Sequence, residues 1–387
     1  MIKKGANNIE VKKINRNQIF RYVNKHRRVS KPDIAAALQI SMPTVLQNVN
    51  ELIEQNLVKQ VGEFQSTGGR KAIAIAPVQD WKYAIGIDIT RNHMGFALTD
   101  LSGEVLQHTR VYQPYVNEVK YYRQLADTAN LFKEKWSISD EKFLGYGISI
   151  PGIIEPENKK IIFSHALSIS NIPCDRFTQF IPYTCICIND ANAAAISELY
   201  NADRRYNAVF LSLSNSVGGA IIEQRQTYLN ENNLINDNLY LGDNWRSGEF
   251  GHVTLIPNGK KCYCGKDGCF DAYCSAVSLA KHTNGKLEAF FEELEKGNEE
   301  LDVIWKEYLN YLSIQVNNLR MIFDCQVIIG GYVGSFIEPY IGLLREEAAK
   351  RNTFEEDASY ILPCRYKVEA SALGAALQQI EAFVSTI

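Results

Sequence analysis

The chain has 387 residues, room for about two to three domains, and its 46% hydrophobic and 22% charged residues are globular proportions, not disordered or fibrous ones. No uninterrupted apolar stretch reaches the roughly eighteen residues of a membrane span, and the opening MIKKGANNIE lacks the apolar run of a signal peptide, so a cytoplasmic protein with no membrane partner is expected. The net charge of −3 is unevenly spread: residues 1–79 carry 13 Lys/Arg against 5 Asp/Glu, a balance of +8, and the rest carry 28 against 39, a balance of −11. One end suits a polyanion and the other does not. Nine cysteines, an odd number in scattered positions, argue for reduced thiols or a metal site over a disulfide framework.

In the basic end, Ile19, Phe20 and Val23 share one face of a helix expected over Asn17 to His26. Ser30 caps a second helix with Pro32 and Asp33 in its first turn, burying Ile34 and Leu38. After a turn at Gln39 and Ile40, Ser41 caps a third helix whose apolar stripe is Val45, Val49, Leu52 and Ile53. That stripe turns Met42, Thr44, Gln47, Asn48 and Glu51 outward, and with Ser41 the first four are candidate DNA contacts. Strands follow at Leu57 to Val61 and Ala72 to Ala76, around a turn where Gly68 and Gly69 let Arg70 and Lys71 project toward a phosphate or a narrow minor groove. The set is a winged helix-turn-helix. A small three-helix scaffold with a solvated face fits the same pattern, and the +8 charge with the basic wing weighs for double-stranded DNA.

Past Pro77 strands and helices alternate. YAIGIDI, MGFALTD and EVLQHTR form a meander, followed by a helix near 118–135, strands GYGISIPG and CICI, and a helix from Asp190 to Tyr200. A second copy opens with AVFLSLSNSVGGAIIEQRQTYL, a strand, a polar turn, a second strand and a third. Two such halves make an α/β, actin-like, sugar-kinase-like body with a cleft between lobes. The expected division is a DNA-binding head at 1–79, a first lobe at 80–200 and a second at 201–387, with the C-terminal helix able to return to the first lobe and head and body having separate cores.

The motifs SKPDIAAALQIS, STGGRK, GISIPG, INDANAAA, SGEFGH, CYCGKDGC, VIIGGYV and ALGAAL, in this order and spacing, resemble the ROK family (repressors, open reading frames, kinases) over nearly the whole chain. With the head attached, the chain resembles that family's sugar-responsive repressor branch. The resemblance implies that Asp190 corresponds to the aspartate that takes a proton from a sugar hydroxyl in the kinases, that Asn189 holds a neighbouring hydroxyl, and that Glu249 and His252 bind the sugar from the other side. Asp271 stands where the family usually has glutamate, one methylene longer. An Asn or Asp at a helix start is equally an ordinary N-cap.

His252 followed by Cys262, Cys264 and Cys269 offers one nitrogen and three sulfurs, the donor set of a closed structural Zn2+ site; free thiols or a redox pair are the alternative. Where the family's first phosphate turn reads Asp-x-Gly-Gly-Thr-Lys, this chain has Asp88, Ile89, Thr90, Arg91, Asn92 and His93. The second, usually Gly-Thr-Gly, is Ser214, Asn215 and Ser216. Arg91 and His93 could instead meet a phosphate carried on the sugar, and Tyr200, Trp245 and the loop around His165 are candidate pocket walls. The expectation is a sugar-responsive transcriptional repressor, at least a homodimer, with no catalytic residues and no enzyme activity. The alternative is an ATP-dependent sugar kinase carrying a DNA-binding head.

Overall fold

The computed structural model describes residues 8–65, 71–200, 202, 206–223 and 238–387. The head comprises α1 (Asn8–His26), β1 (Val29–Ser30), α2 (Lys31–Leu38), α3 (Met42–Glu54), β2 (Val58–Glu63) and β3 (Ile73–Pro77), with sheet order β1-β3-β2. Ser30 and Asp33 form a reciprocal capping box on α2, Gln39 closes that helix in the left-handed conformation, and the Ser41 side chain accepts from the Thr44 amide to start α3. This is a winged helix-turn-helix. The first helix begins well before Asn17; Lys12 and Arg16 both pair with Glu51 of α3, a polar tether that apolar periodicity does not reveal.

On α3, Met42 and Gln47 are exposed and Thr44 is half-buried. Asn48 is not on the outer face. It is 1% exposed, and its amide donates to the Thr44 carbonyl one turn back at 2.8 Å, so it belongs to the head's interior and cannot read a base. Leu46 and Asn50, overlooked by the sequence reading, are exposed on the same helix as Gln47. Lys71 is exposed, 3.8 Å from Glu63, whereas Gly68, Gly69 and Arg70 lie outside the described residues.

The body holds two sheets of one design. Strands β4 (Tyr83–Ile89), β5 (His93–Asp100) and β6 (Gln107–Tyr112) form an antiparallel meander. Helix α4 (Val119–Lys135) leads to β7 (Phe143–Ile150), parallel to β4. A small sheet of β8 (Ile153–Glu155), β9 (Lys160–Ser164) and β10 (Ile169–Pro173) and the short α5 (Asp175–Thr178) intervene before β11 (Cys185–Asn189), which pairs in parallel with β7 and runs straight into α6 (Asp190–Tyr200).

The second copy begins with β12 (Ala208–Leu213) and β13 (Val217–Ile222); β14 (Leu239–Tyr240) pairs with β13, and residues 224–230, where the third strand was expected to begin, lie outside the described residues. Helices α7 (Asp271–Cys274), α8 (Ala276–Ala280), α9 (Leu287–Glu295) and α10 (Glu299–Phe323) precede β15 (Gln326–Gly330), and α11 (Gly331–Gly334) and α12 (Ile341–Ala349) precede β16 (Ile361–Pro363). The orders β6-β5-β4-β7-β11 and β14-β13-β12-β15-β16 carry matching antiparallel and parallel pairings, the signature of a duplicated lobe.

Helix α13 (Ala370–Val384) returns to the first sheet. Its backbone lies so close that a Cβ on Gly86 of β4 would fall 1.6 Å from the Ala372 carbonyl oxygen, and one on Gly374 1.7 Å from that of Ala193 in α6. Only glycine permits either approach. The head does not have a separate core. One apolar cluster runs from Ile19, Phe20 and Val23 through Ala84 and Leu101 to Leu377, Ile380 and Val384, because α1 packs on the body as well as on α3.

Candidate functional site

The β11–α6 junction forms one wall of a cavity of about 700 Å³ between the lobes. Asn189, Asp190 and His165 reach it from the first lobe; Trp245, Glu249 and His252 reach it from the second. Asn189 is the cap of α6: its Oδ1 accepts from the Asn192 amide at 2.9 Å, while its Nδ2 donates to the Gly152 carbonyl at 2.9 Å and to the Asp190 Oδ1 at 3.1 Å. The carboxylate of Asp190 lines the cavity while still accepting from backbone N–H groups at the helix start. Burial raises its pKa, opposed by backbone N–H groups at the helix start.

Beneath it Asp88 of β4 is raised to about 7, first by burial and next by the charge of Asp190, against a 2.9 Å hydrogen bond donated by the Ser149 hydroxyl. Glu249 is raised as well, by desolvation and by Asp190. Two carboxyls lining the cavity, with an imidazole, can accept and donate to the hydroxyls of a polyol, each of which needs partners once removed from water.

Asp271 is absent from this wall. It is 3% exposed, its Oδ2 accepts from the Val217 amide at 2.6 Å, and the shorter side chain is spent fixing the start of β13. Tyr200 packs against Gly103 on the far side of α6 and does not line the cavity. A residue the sequence reading passed over is Tyr263, whose hydroxyl lies 3.3 Å from His252 Nε2 and whose ring meets that of His165 across the cleft at 5.1 Å. Its place between two candidate metal ligands was the available signal.

His252, Cys262, Cys264 and Cys269 converge, their ligand atoms all within 4.8 Å of one another. Cys264 Sγ and Cys269 Sγ are 3.7 Å apart, and His252 Nδ1 faces Cys262 Sγ at 3.9 Å. Ligands on a tetrahedral ion at roughly 2.0–2.3 Å lie about 3.3–3.8 Å from one another, so the Cys264–Cys269 pair has that spacing and the wider pairs would close by up to about 1 Å around an ion. Gly265 at φ +87° and the hydrogen bond donated by the Cys262 amide to the Lys266 carbonyl form the turn that gathers them. Cys274 belongs to the core, its thiol 3.8 Å from the Tyr308 carbonyl oxygen.

The two turns that face the triphosphate in a kinase are held here by protein hydrogen bonds. The Thr90 amide donates to the His93 carbonyl at 2.9 Å and the His93 amide to the Thr90 Oγ1 at 3.0 Å, so these two donors are used within a tight turn. At the second turn, Ser214 Oγ accepts from the Tyr332 amide at 3.2 Å and its carbonyl from the Ala276 amide at 2.7 Å. Arg110 of the first lobe stacks on the Tyr332 ring at 5.6 Å, and the Tyr332 hydroxyl bonds Glu288, bridging the lobes where a nucleotide would enter.

Residues 84–381 match the ROK family. The chain is 29% identical to the xylose repressor of Bacillus spizizenii, covering 97% of each protein, and 23% identical to the DNA-binding transcriptional dual regulator NagC of Escherichia coli, covering 73% of this chain and 67% of that one. Among solved structures it superposes on a ROK family transcriptional regulator homologous to the E. coli MLC protein, with TM-score 0.72, 17% identity and coverage of 97% and 98%. It superposes on a ROK glucokinase from Streptomyces griseus in complex with glucose and AMPPNP, with TM-score 0.62, 20% identity and coverage of 76% and 98%. Among the described residues no helix is long and apolar enough to cross a membrane.

Proposed function

This chain is a member of the ROK family, and from that premise we propose that it is a sugar-responsive transcriptional repressor that does not transfer phosphate. The observation that carries the reading is the contrast between the two halves of the cleft: the sugar side keeps Asp190, Glu249 and His252 around an open cavity, while Thr90, Arg91 and Asn92, and Ser214, Asn215 and Ser216, stand where glycine-lined phosphate turns would be, with Ser214 tied down by the Tyr332 and Ala276 amides. Side chains at these turns take the space through which a glycine-lined backbone would approach triphosphate oxygens. The full-length similarity to a xylose repressor makes a pentose the first effector to test.

The head, proposed to end near residue 79, would meet duplex DNA through Ser41, Met42, Thr44, Gln47, Arg70 and Lys71. A single recognition helix reads few base pairs, so two heads, supplied by a homodimer, would read a palindrome. His252, Cys262, Cys264 and Cys269 would hold one structural Zn2+. The ion would leave no open position for water and would fix the loop that carries His252 and Tyr263 to the cavity.

The experiment is duplex binding by the full chain, followed by fluorescence anisotropy over a salt series with and without xylose. Affinity should fall steeply with salt, as phosphate contacts release counterions, and xylose should shift it. No duplex binding at low salt sinks the regulator reading. The kinase alternative rests on the cleft-facing Asp190; ATP-dependent phosphorylation of sugars at about one turnover per second or more would establish it.

A further inference from the structure

The sugar cavity and the head's first helix meet the same body helix, α13. Near the start of α13 the Ser371 hydroxyl donates to the Asp190 carbonyl at 3.1 Å, and Gln378 lines the cavity. One residue on, the Gln379 amide fastens the helix to the Tyr146 carbonyl at 2.8 Å and the Thr184 carbonyl at 3.2 Å. At its end Glu381, 2% exposed, takes both arms of the Arg21 guanidinium from α1. Asn17 donates to the Val384 carbonyl at 2.5 Å, and Arg16 Nε to the Ile387 carbonyl at 2.7 Å.

Arg16 also reaches forward. Its Nη1 lies 3.3 Å from Glu51 on the recognition helix α3, so one guanidinium joins the end of α13 to the DNA-reading element. Asn24, Lys25 and Arg27 add bonds from the head to the carbonyls of Leu101, Ala202 and Ser102, the first and last of these in the first lobe around the β5 end. These head-to-body bonds go to the first lobe, to the segment after α6, to α13 and to Ile387 just past it, and the apolar cluster behind them runs on into β12, β13, β14 and β15 of the second lobe.

We propose that Arg16, Arg21 and Glu381 are positioning residues that weld the head and first lobe into one lever, with α13 its spine, so that a sugar closing the cleft swings head and first lobe together against the second lobe. The inference rests on the regulator reading. Its physical basis is that a bidentate Arg–carboxylate pair whose carboxylate is buried, backed by close packing, has one geometry, and a packed interface passes motion on as a body. A head on a slack tether would instead lose the signal at the joint.

The test uses the full chain with genetically encoded spin labels at Glu54 in the head, paired with Glu134 in the first lobe or Glu300 in the second, all exposed positions. Distances are measured with and without a duplex selected by the protein from a random pool, and with and without xylose. The head-to-first-lobe distance should be single, narrow and unmoved by either ligand, while the head-to-second-lobe distance shifts. A broad or ligand-shifted head-to-first-lobe distance in the unmutated chain overturns the proposal. Failure to bind any duplex would defeat the regulator reading separately, because the distance in the free protein still decides whether the lever exists.

The variants Glu381→Gln and Arg16→Gln supply the second measurement. Each should keep xylose affinity within about two-fold while the factor by which xylose changes DNA affinity, about 5- to 150-fold in coupled systems, falls toward one. Exchanging the pair, Arg21→Glu with Glu381→Arg, should restore part of it. A lowered melting temperature with that factor intact would mark these contacts as structural only and overturn their role in coupling.

Discussion

Asp190 lines the cleft, and although its carboxylate meets N–H groups at the start of α6, Asn189 also supplies an acceptor there through its bond from the Asn192 amide. Asp190→Asn therefore keeps the helix and removes the charge. Since hydrogen bonds to a charged group contribute about 1.5–3 kcal/mol, sugar affinity measured by calorimetry should drop about ten-fold or more, with DNA affinity in the absence of sugar unchanged. A joint fall in melting temperature and DNA binding would instead assign Asp190 to the fold. Beside it Asp88 carries a pH signature. Its pKa stands at about 7 in the folded protein against 3.8 as the ordinary value, so between these the folded state holds a proton that the unfolded chain has lost. Stability is then greatest below the lower value and declines as pH rises through 7. Asp88→Asn should flatten that part of the melting-temperature profile and raise stability at pH 8 by on the order of 2 kcal/mol; a profile identical to the unmutated chain's would show that Asp88 does not titrate there.

At the scale of elements, α3 and the cysteine loop each carry a distinguishing experiment. Gln47→Ala, on the exposed face, should blunt discrimination among duplex sequences with little effect on stability, whereas Asn48→Ala, losing a buried bond to Thr44, should lower stability by about 1 kcal/mol without changing which sequence is preferred. Binding competition and thermal melts separate the two. For the loop, elemental analysis should find about one zinc per chain. Cys264→Ser should reduce that content and the sugar response together. What the sequence made legible follows the same division. Apolar periodicity and capping residues located α2, α3, the wing strands and the first repeat, since each depends on neighbours a few residues away. It misjudged Asn48, a polar side chain buried by a bond to its own helix, and Asp271, whose shorter carboxylate found a backbone amide instead of the cavity. It assigned head and body separate cores because the bonds of Arg16, Asn17 and Arg21 to α13 join residues more than 350 positions apart, where local pattern is silent.

For the whole molecule, α6 packs on β12 and β13 and Glu198 accepts from the Arg365 and Tyr366 amides, and two further places where the lobes meet have opposite consequences. On the sugar side the walls stand apart around the cavity, and His165 and Tyr263 touch across it. On the other side Arg110, Tyr332 and Glu288 already bridge the lobes. A ligand between two bodies joined along α6 and pinned at Arg110 moves them only by preferring one relative angle over another. Thermodynamic linkage then fixes the reciprocal effect: if sugar shifts DNA affinity by a factor, DNA shifts sugar affinity by the same factor, on the scale of about 1–3 kcal/mol. Arg110→Ala removes the pin while sparing both binding surfaces. It should leave the intrinsic sugar contacts in place yet lower the coupling, read as the ratio of xylose affinities measured by calorimetry with and without saturating duplex, because an unpinned cleft can close without committing the first lobe to one angle. A ratio equal to that of the unmutated chain would place the hinge elsewhere, and a ratio that differs from the independently measured shift in DNA affinity would show that sugar and DNA are not binding the same protein population.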